Sequence, residues 1–321
     1  MKAIIFPDSA ESSSLAGKYS YDKWLVSRFL EYVPDVHDFL DKMEKPPTQY
    51  IRANTIKIEP DELKIRLESK GFSLKETLLP EVLAVQKAPM SIGATTDYML
   101  GHYYVQDLSS CLAVDALDVK EKQTVIDIAA APGGKTTFMA QRMKDTGCIV
   151  AIEPNERRAR AMSFNLARCG VSNTCILQLD GTKADKLGMK FDRVLLDAPC
   201  SCEGVIAKDV TRKTSHTPTD VEVCSDRQQR MIESAAKLVK PGGLLVYSTC
   251  SFAPEENEMI VDWLLRKFDN IVIEPLDYGT NGLTRFNDMV FSDDLKNTRR
   301  LYPHIHDTTG FFIARLRMGV T

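Results

Sequence analysis

From Thr124 onward the chain alternates short apolar runs with longer amphipathic stretches, a rhythm that few folds can accommodate. Val125-Ile126-Asp127-Ile128 reads as a strand and Thr136 to Met143 as a helix. Ile149-Val150-Ala151-Ile152 is a second strand, followed by a helix from Asn155 to Arg168. Thr174 to Leu179 and Arg193 to Asp197 supply two more strands. Arg227 to Leu238 reads as a helix ended by Pro241-Gly242-Gly243, with Leu244 to Ser248 as the strand beyond it. Apolar runs with little alternation belong to strands buried on both faces, so the pattern predicts an α/β fold with a parallel sheet covered by helices. Such sheets bind ligands outside the carboxyl ends of their strands, which directs attention to the turns that follow each run.

The preceding segment has a different texture. Trp24, Leu25, Phe29, Leu30, Val33, Val36, Phe39 and Leu40 are spaced as an amphipathic helical region broken near Pro34 and ended by Pro46-Pro47. Gln49 to Ile58 predicts a strand. Pro60-Asp61-Glu62 opens a helix through Glu68 that Gly71 stops, and residues 72–100 hold short runs that predict further strands. The expected division is a small α+β module over residues 1–108 and a larger α/β domain over 109–321.

Composition narrows the classes. A chain of 321 residues with 44% hydrophobic and 26% charged residues is that of a soluble globular protein. The apolar run Met1 to Phe6 is too short for a signal peptide, and no later run is long enough for a membrane span, so a cytoplasmic protein is expected. Eight cysteines in that setting read as reduced thiols. A net charge of −3 does not mark a nucleic-acid binder, and residues 1–110 are themselves acidic, with 13 Lys/Arg against 16 Asp/Glu. Lys296, Arg299, Arg300, Arg315 and Arg317 outnumber Asp307 near the C-terminus, which reads as a solvated face.

Three turns carry chemistry. Asp127 to Thr136 is a glycine-bearing loop between a strand and a helix, suited to close backbone approach by a ligand. It is not a nucleotide phosphate loop, because Ala130 stands where that motif needs its first glycine. Glu153 ends the second strand, 20 residues after Gly133, where an acid can meet ribose hydroxyls; Asp180 follows the third strand. Alone, either acid reads equally as a solvated turn residue; the upstream loop favours binding. Pro199-Cys200 and Thr249-Cys250 then follow the runs Val194-Leu195-Leu196 and Leu244-Leu245-Val246, fifty residues apart. Two thiols at one sheet edge suit attack on an electron-poor aromatic carbon. Cys200 and Cys202 have metal-ligand spacing, but no second cysteine pair or histidine cluster accompanies them, and His304 and His306 carry no further ligands. Cys111, Cys148, Cys169, Cys175 and Cys224 read as small core residues.

Asp127 to Thr137, Asp197 to Ser201 and Tyr247 to Ser251 closely resemble the motifs of the Sun-type (NSUN/RsmB-like) RNA cytosine-5 methyltransferases. Tyr50 to Thr55, Tyr104 to Asp107, Glu255-Glu256-Asn257 and Gly310 to Ala314 extend the resemblance, and the compact form is most similar to the archaeal tRNA enzymes. The resemblance implies a Rossmann-like class I methyltransferase with a mostly parallel seven-stranded sheet, Phe311 to Leu316 antiparallel within it, behind an RRM-like module. It implies S-adenosyl-L-methionine held by Ala129, Ala130, Ala131, Pro132, Gly133, Gly134, Lys135, Glu153, Arg158, Asp180, Gly181 and Asp197. Cys250 would attack carbon 6 of cytosine, Cys200 would assist loss of the carbon 5 proton or release of the enzyme, and Asp197, its proton governed by Lys135, would meet the pyrimidine edge. The implied partner is RNA, transfer RNA ahead of ribosomal RNA, met by a monomer that a regulatory protein could redirect. Ala207 departs from the family's pattern, which places a basic residue there, leaving Lys208 and Arg212 as phosphate-contact candidates. Tyr50, Tyr98, Tyr103 and Tyr104 could stack on bases, though most should fill the core. An RNA-binding assembly factor would need neither thiol, and DNA cytosine methylation would leave Thr249-Cys250 without a task.

Overall fold

The computed structural model describes residues 1–319. Three helices open the chain, α1 (Ala10–Tyr19), α2 (Lys23–Tyr32) and α3 (Val36–Met43). The first was not legible as periodicity; it is set by a capping box in which the Ser9 and Ser12 side chains satisfy each other's backbone N–H. These helices share one apolar core with the larger domain, Phe29 and Phe39 packing edge-on against Phe252. The small module follows with β1 (Gln49–Ala53), α4 (Pro60–Glu68), β2 (Ser73–Glu76), β3 (Val82–Lys87), α5 (Thr96–Met99) and β4 (Tyr103–Val105). Its antiparallel sheet has the order β2-β3-β1-β4. The first strand ends five residues before the expected Ile58, because the Asn54 carbonyl accepts from the Lys57 and Ile58 amides and turns the chain.

The larger domain runs α6 (Leu108–Leu117), β5 (Thr124–Ile128), α7 (Gly134–Arg142), β6 (Cys148–Ile152), α8 (Glu156–Cys169), β7 (Thr174–Leu177) and β8 (Phe191–Asp197). It continues through α9 (Arg212–Ser215), α10 (Pro218–Ala236), β9 (Val239–Thr249), α11 (Glu258–Lys267) and β10 (Ile271–Glu274). Short pieces β11 (Thr280–Asn281), β12 (Arg285–Phe286), β13 (Met289–Val290), β14 (Arg299–Leu301) and α12 (Pro303–His306) lead to β15 (Phe311–Met318). Strands β9-β8-β5-β6-β7 are parallel, as their apolar runs predict; Val125, Ile126, Ile128, Val194, Leu195 and Leu196 are fully buried. Antiparallel β15 lies beside β9, and β10 pairs with the end of β15 in the direction of the parallel set. The expected seven strands become nine, because β14 and β11 extend the β15 edge.

Two expectations fail around α10. It begins at Pro218 rather than Arg227, since Thr217 and Asp220 form a capping box with Pro218 at the first helical position. The stretch 203–226 is therefore half helical. Pro241-Gly242-Gly243 lies inside β9, whose register against β8 shifts there, with Gly242 at φ 73°. The C-terminal arginines are paired rather than solvated: buried Arg300 grips Glu258, and Arg315 and Arg317 share Glu274. Cys111 and Cys169 are core residues, but Cys148 and Cys175 are exposed at strand positions, and Cys224 is half-buried.

Candidate active site

The register of two neighbouring strands brings the thiols together. Asp197, the last residue of β8, pairs with Ser248 of β9, so Cys200 and Cys250 leave the same edge three and two residues later. Their sulfurs lie 3.3 Å apart. Gly204 joins the two loops: its N–H donates to the Cys250 carbonyl at 2.8 Å, and its carbonyl accepts from Gly310 N–H at 2.9 Å. A Cβ at Gly204 would stand 2.3 Å from the Gly310 carbonyl oxygen, so this approach needs glycine.

The residues behind the thiols are charged and fully buried. Glu256 accepts from Ser201 N–H at 2.9 Å, from the Ser251 hydroxyl at 2.7 Å and from the Gln228 amide at 2.8 Å. Burial pushes its carboxyl up to about 7. Glu203 accepts from Phe252 N–H and pairs with His216 at 3.1 Å. Glu255 takes both Arg28 nitrogens from α2, at 2.9 and 2.7 Å. The Cys250 thiol hydrogen-bonds with Cys200, which favours its thiolate. The Cys202 contact, burial and the Asp197 charge outweigh that and hold it well above the ordinary thiol range.

Beside the thiols, a cavity of about 240 Å³ is lined by Ala129, Ala130, Ala131, Pro132, Gly134 and Lys135 of the loop, with Asp127 and Asp197. Tyr104, Val105, Gln106, Asp107, Ser110 and Lys208 close its other side. Lys135 Nζ meets Asp197 Oδ2 at 2.7 Å, and Ser248 donates to the other Asp197 oxygen at 2.8 Å. Burial opposes the Lys135 charge, but Asp197 beside it keeps the ammonium above its usual range.

S-adenosylmethionine can be tested against these groups. Asp127 Oδ1 is buried and has no hydrogen-bond partner among the described residues, as an acceptor for a ligand ammonium should be. Burial pushes that carboxyl up to about 7. The first backbone N–H groups of α7 have no intrahelical acceptors and suit a ligand carboxylate. A Cβ at Gly134 would come within 3.3 Å of Tyr104. The residues fit the group.

The remaining donor-site candidates stand outside the cavity lining. Glu153 is fully buried; its Oε1 accepts from Asn155 N–H, while Oε2 pairs with Arg158 at 3.3 Å. Arg158 also donates to the Ala131 carbonyl at 3.0 Å, tying Glu153 to the loop. Asp180 caps the turn after β7 by accepting from Thr182 N–H, and Gly181 sits within 2.7 Å of Ile128 and Met231 by its missing Cβ. Gly133 adopts φ 96° at the head of α7. Tyr50 and Tyr103 are core residues, Tyr98 packs on Tyr103, and Tyr104 alone of the four lines the cavity. His304 packs among Phe39 and Tyr302, away from the thiols.

Sequence reasoning assigned no role to Arg52, Gln106 or Ser110. Arg52 is fully buried and has no carboxylate partner among the described residues; it donates to the Gly134 carbonyl at 2.7 Å and the Thr137 hydroxyl at 2.8 Å, binding the small module to the loop. Its place in the stretch Tyr50 to Thr55, one of those that carry the family resemblance, was the available signal. Lys208, paired with Asp107 at 3.2 Å, lines this cavity and the adjoining one beside Pro46 to Tyr50, and Arg212 is held by the Ser201 carbonyl and Asp209.

A family model described as 16S rRNA methyltransferase RsmB/F matches residues 114–317. The human 28S rRNA (cytosine(4447)-C(5))-methyltransferase is 42% identical over 313 residues, 94% of this chain and 38% of its own. The tRNA (cytosine(49)-C(5))-methyltransferase of Pyrococcus abyssi is 37% identical over 303 residues, covering 92% of this chain and 96% of its own. Among solved structures, a methyltransferase homologue from Pyrococcus horikoshii superposes with a TM-score of 0.88 at 38% identity, covering 97% of this chain and 99% of that one. NSun6 from Pyrococcus horikoshii with SFG gives 0.80 at 27% identity, over 95% and 97%. The chain spans between 38% and 52% of the length of four eukaryotic rRNA methyltransferases that it matches.

Proposed function

Because this chain belongs to the RsmB/F methyltransferase family, we propose that it methylates carbon 5 of cytosine in RNA, with transfer RNA as its substrate. The observation that carries this reading is the 3.3 Å approach of Cys200 to Cys250 beside the Lys135–Asp197 pair. Carbon 5 of cytosine is a weak nucleophile. Addition of the Cys250 thiolate to carbon 6 makes it an enamine-like carbon able to take a methyl group. S-adenosylmethionine, when bound by the loop Ala129 to Lys135 with Asp127, Glu153 and Arg158 behind it, supplies that methyl as an electrophile. Asp197 faces the pyrimidine edge, and Lys135 holds the proton that this carboxyl group needs in order to donate to the ring. Cys200, after releasing its own proton to solvent, then takes the carbon 5 proton as the ring double bond re-forms and the Cys250–carbon 6 bond breaks, restoring aromaticity and the Cys250 thiolate.

A paired cytosine hides its ring faces, so the base must be unpaired or turned out to reach the thiols. Lys208, bridging the two adjoining cavities, is the candidate phosphate contact in place of the basic residue absent at Ala207. Transfer RNA is favoured by the nearly full-length match to the Pyrococcus abyssi enzyme. Ribosomal RNA is the second reading, favoured by the 42% identity to the human enzyme.

Methyl transfer from labelled S-adenosylmethionine to unmodified tRNA and rRNA transcripts, mapped by bisulfite sequencing, tests both. A protected cytosine in tRNA is expected. Methylation confined to rRNA would replace the substrate, and no transfer to either would favour an RNA-binding assembly factor. Cys200→Ala should accumulate a covalent protein–RNA adduct on denaturing gels; an adduct seen only on loss of Cys250 would reverse the two thiol roles.

A further inference from the structure

The methyl-transfer chemistry uses two thiols, but three meet. Cys202 Sγ lies 3.8 Å from Cys200 Sγ, and the sulfurs of Cys200, Cys202 and Cys250 all stand within 4.8 Å of one another. Among the described residues, no other group of three or more His, Cys, Asp or Glu side chains brings its ligand atoms this close. Two cysteines two residues apart looked insufficient for a metal; the third ligand arrives from the neighbouring strand, fifty residues on.

The spacing suits a small thiophilic cation. Three thiolates held tetrahedrally around zinc at about 2.3 Å each stand about 3.8 Å apart. The Cys200–Cys202 separation of 3.8 Å matches that value, the Cys200–Cys250 separation of 3.3 Å falls about half an ångström short of it, and all three sulfurs stay within 4.8 Å. Cys202 also occupies a costly backbone conformation, φ 63° and ψ 34°, where glycine would be unstrained. Its thiol donates to the Cys200 carbonyl at 3.2 Å and otherwise faces the two other sulfurs. The loops that carry the ligands are already held, through Ser201 N–H on Glu256 and Gly204 N–H on the Cys250 carbonyl. Little reorganisation is needed to bind. Arg212, donating to the Ser201 carbonyl at 2.9 Å, places a cation beside a site whose three thiolates exceed a divalent charge by one.

We propose that Cys200, Cys202 and Cys250 form a three-thiolate site for a thiophilic divalent cation of the zinc class, its fourth position open to water. Binding converts three thiols to metal thiolates with release of up to three protons, and no oxidant is required. Occupancy takes the Cys250 sulfur, so the metal competes with RNA. That consequence rests on the methyl-transfer reading; the binding itself does not.

The test uses the full reduced chain under argon, titrated with Cd²⁺ and followed by the ultraviolet thiolate-to-metal charge-transfer band. Zn²⁺ affinity is read separately by competition with a chromophoric chelator. One ion per chain with a three-thiolate band is expected. Cys202→Ser should keep its melting temperature while lowering the band by about a third. Its metal affinity should fall roughly 100-fold or more, a loss at least as large as that seen on removing outer-shell partners. Zinc inhibition of methyl transfer should shift by the same factor. Cys224→Ser, which alters a thiol outside the cluster, should bind as the parent does. Absence of a stoichiometric band in the parent would overturn the site, as would unchanged affinity in Cys202→Ser or lost affinity in Cys224→Ser. Each is read without RNA or S-adenosylmethionine, so failed methyl transfer cannot be mistaken for failed metal binding.

Discussion

The two loops that meet at the sheet edge are held by opposite chemistry. Around Ala129 to Lys135 the anchors are donors that take up carbonyls: Arg52 on Gly134, Arg158 on Ala131 and Asn165 on Pro132. Around Cys200 and Cys250 several anchors are carboxylates that take up amides, Glu256 on Ser201 and Glu203 on Phe252. The first arrangement leaves the N–H groups at the head of α7 free for a ligand. The second consumes backbone donors and leaves sulfur as the reactive atom. Burial divides them only in part: Glu203, Glu255, Glu256 and Glu258 are fully buried, as is Arg52, whereas the Arg158 side chain is 56% exposed. One loop is built to bind and the other to stay still.

If that contrast is right, substitutions on the two sides should separate chemistry, stability and donor affinity. The largest effect belongs to Cys250→Ala, which should lower single-turnover methyl transfer by roughly 10⁴-fold or more while leaving S-adenosylmethionine binding by calorimetry unchanged. Equal loss of binding would mean that the thiol loop also shapes the donor site. Next comes Glu256→Ala, which strands the Ser201 amide and the Ser251 hydroxyl and should cost about 2–4 kcal/mol in urea unfolding. A loss below about 1 kcal/mol would show that the buried acids do not hold the thiols.

The rate of transfer should climb as much as about tenfold per pH unit between pH 7 and 9, because a thiol held above its ordinary range gains thiolate as pH rises. A flat profile would place the thiolate on Cys250 before RNA arrives. Arg158→Ala should weaken donor binding by about tenfold with stability changed by less than about 1 kcal/mol, since its pair with Glu153 is half exposed. The smallest effect is expected for Cys202→Gly, which relieves the left-handed backbone and should stabilise the chain by up to about 1 kcal/mol. The matching change Ala129→Gly, at φ 77°, tests whether the donor loop stores similar strain.

Much of the larger domain was legible because parallel strands buried on both faces leave unbroken apolar runs, and β5, β6 and β8 lie where those runs do. The glycine loop and both thiol turns were legible for a related reason: each directly follows such a strand. Elsewhere local pattern misled. Glu255 to Glu258 reads as a polar stretch, yet all four residues are buried, because Arg28 and Arg300 reach Glu255 and Glu258 from 227 and 42 residues away. The polar first turns of α10 carry little apolar signal, so the pattern from Arg227 placed its start nine residues after Pro218, where the Thr217 capping box sets it.

By itself, then, the sequence determined the order of strands and helices, the loop that can receive a donor and the presence of two thiols after two strands. These follow from backbone periodicity and turn chemistry, which act over a few residues. The tertiary structure alone decided that Cys202 joins Cys200 and Cys250, that Lys135 reaches Asp197, and that Arg52 fastens the small module to Gly134. Those contacts depend on how β8 and β9 align and on how two sheets dock. Register and docking are set by packing across the whole chain, and no local pattern encodes them.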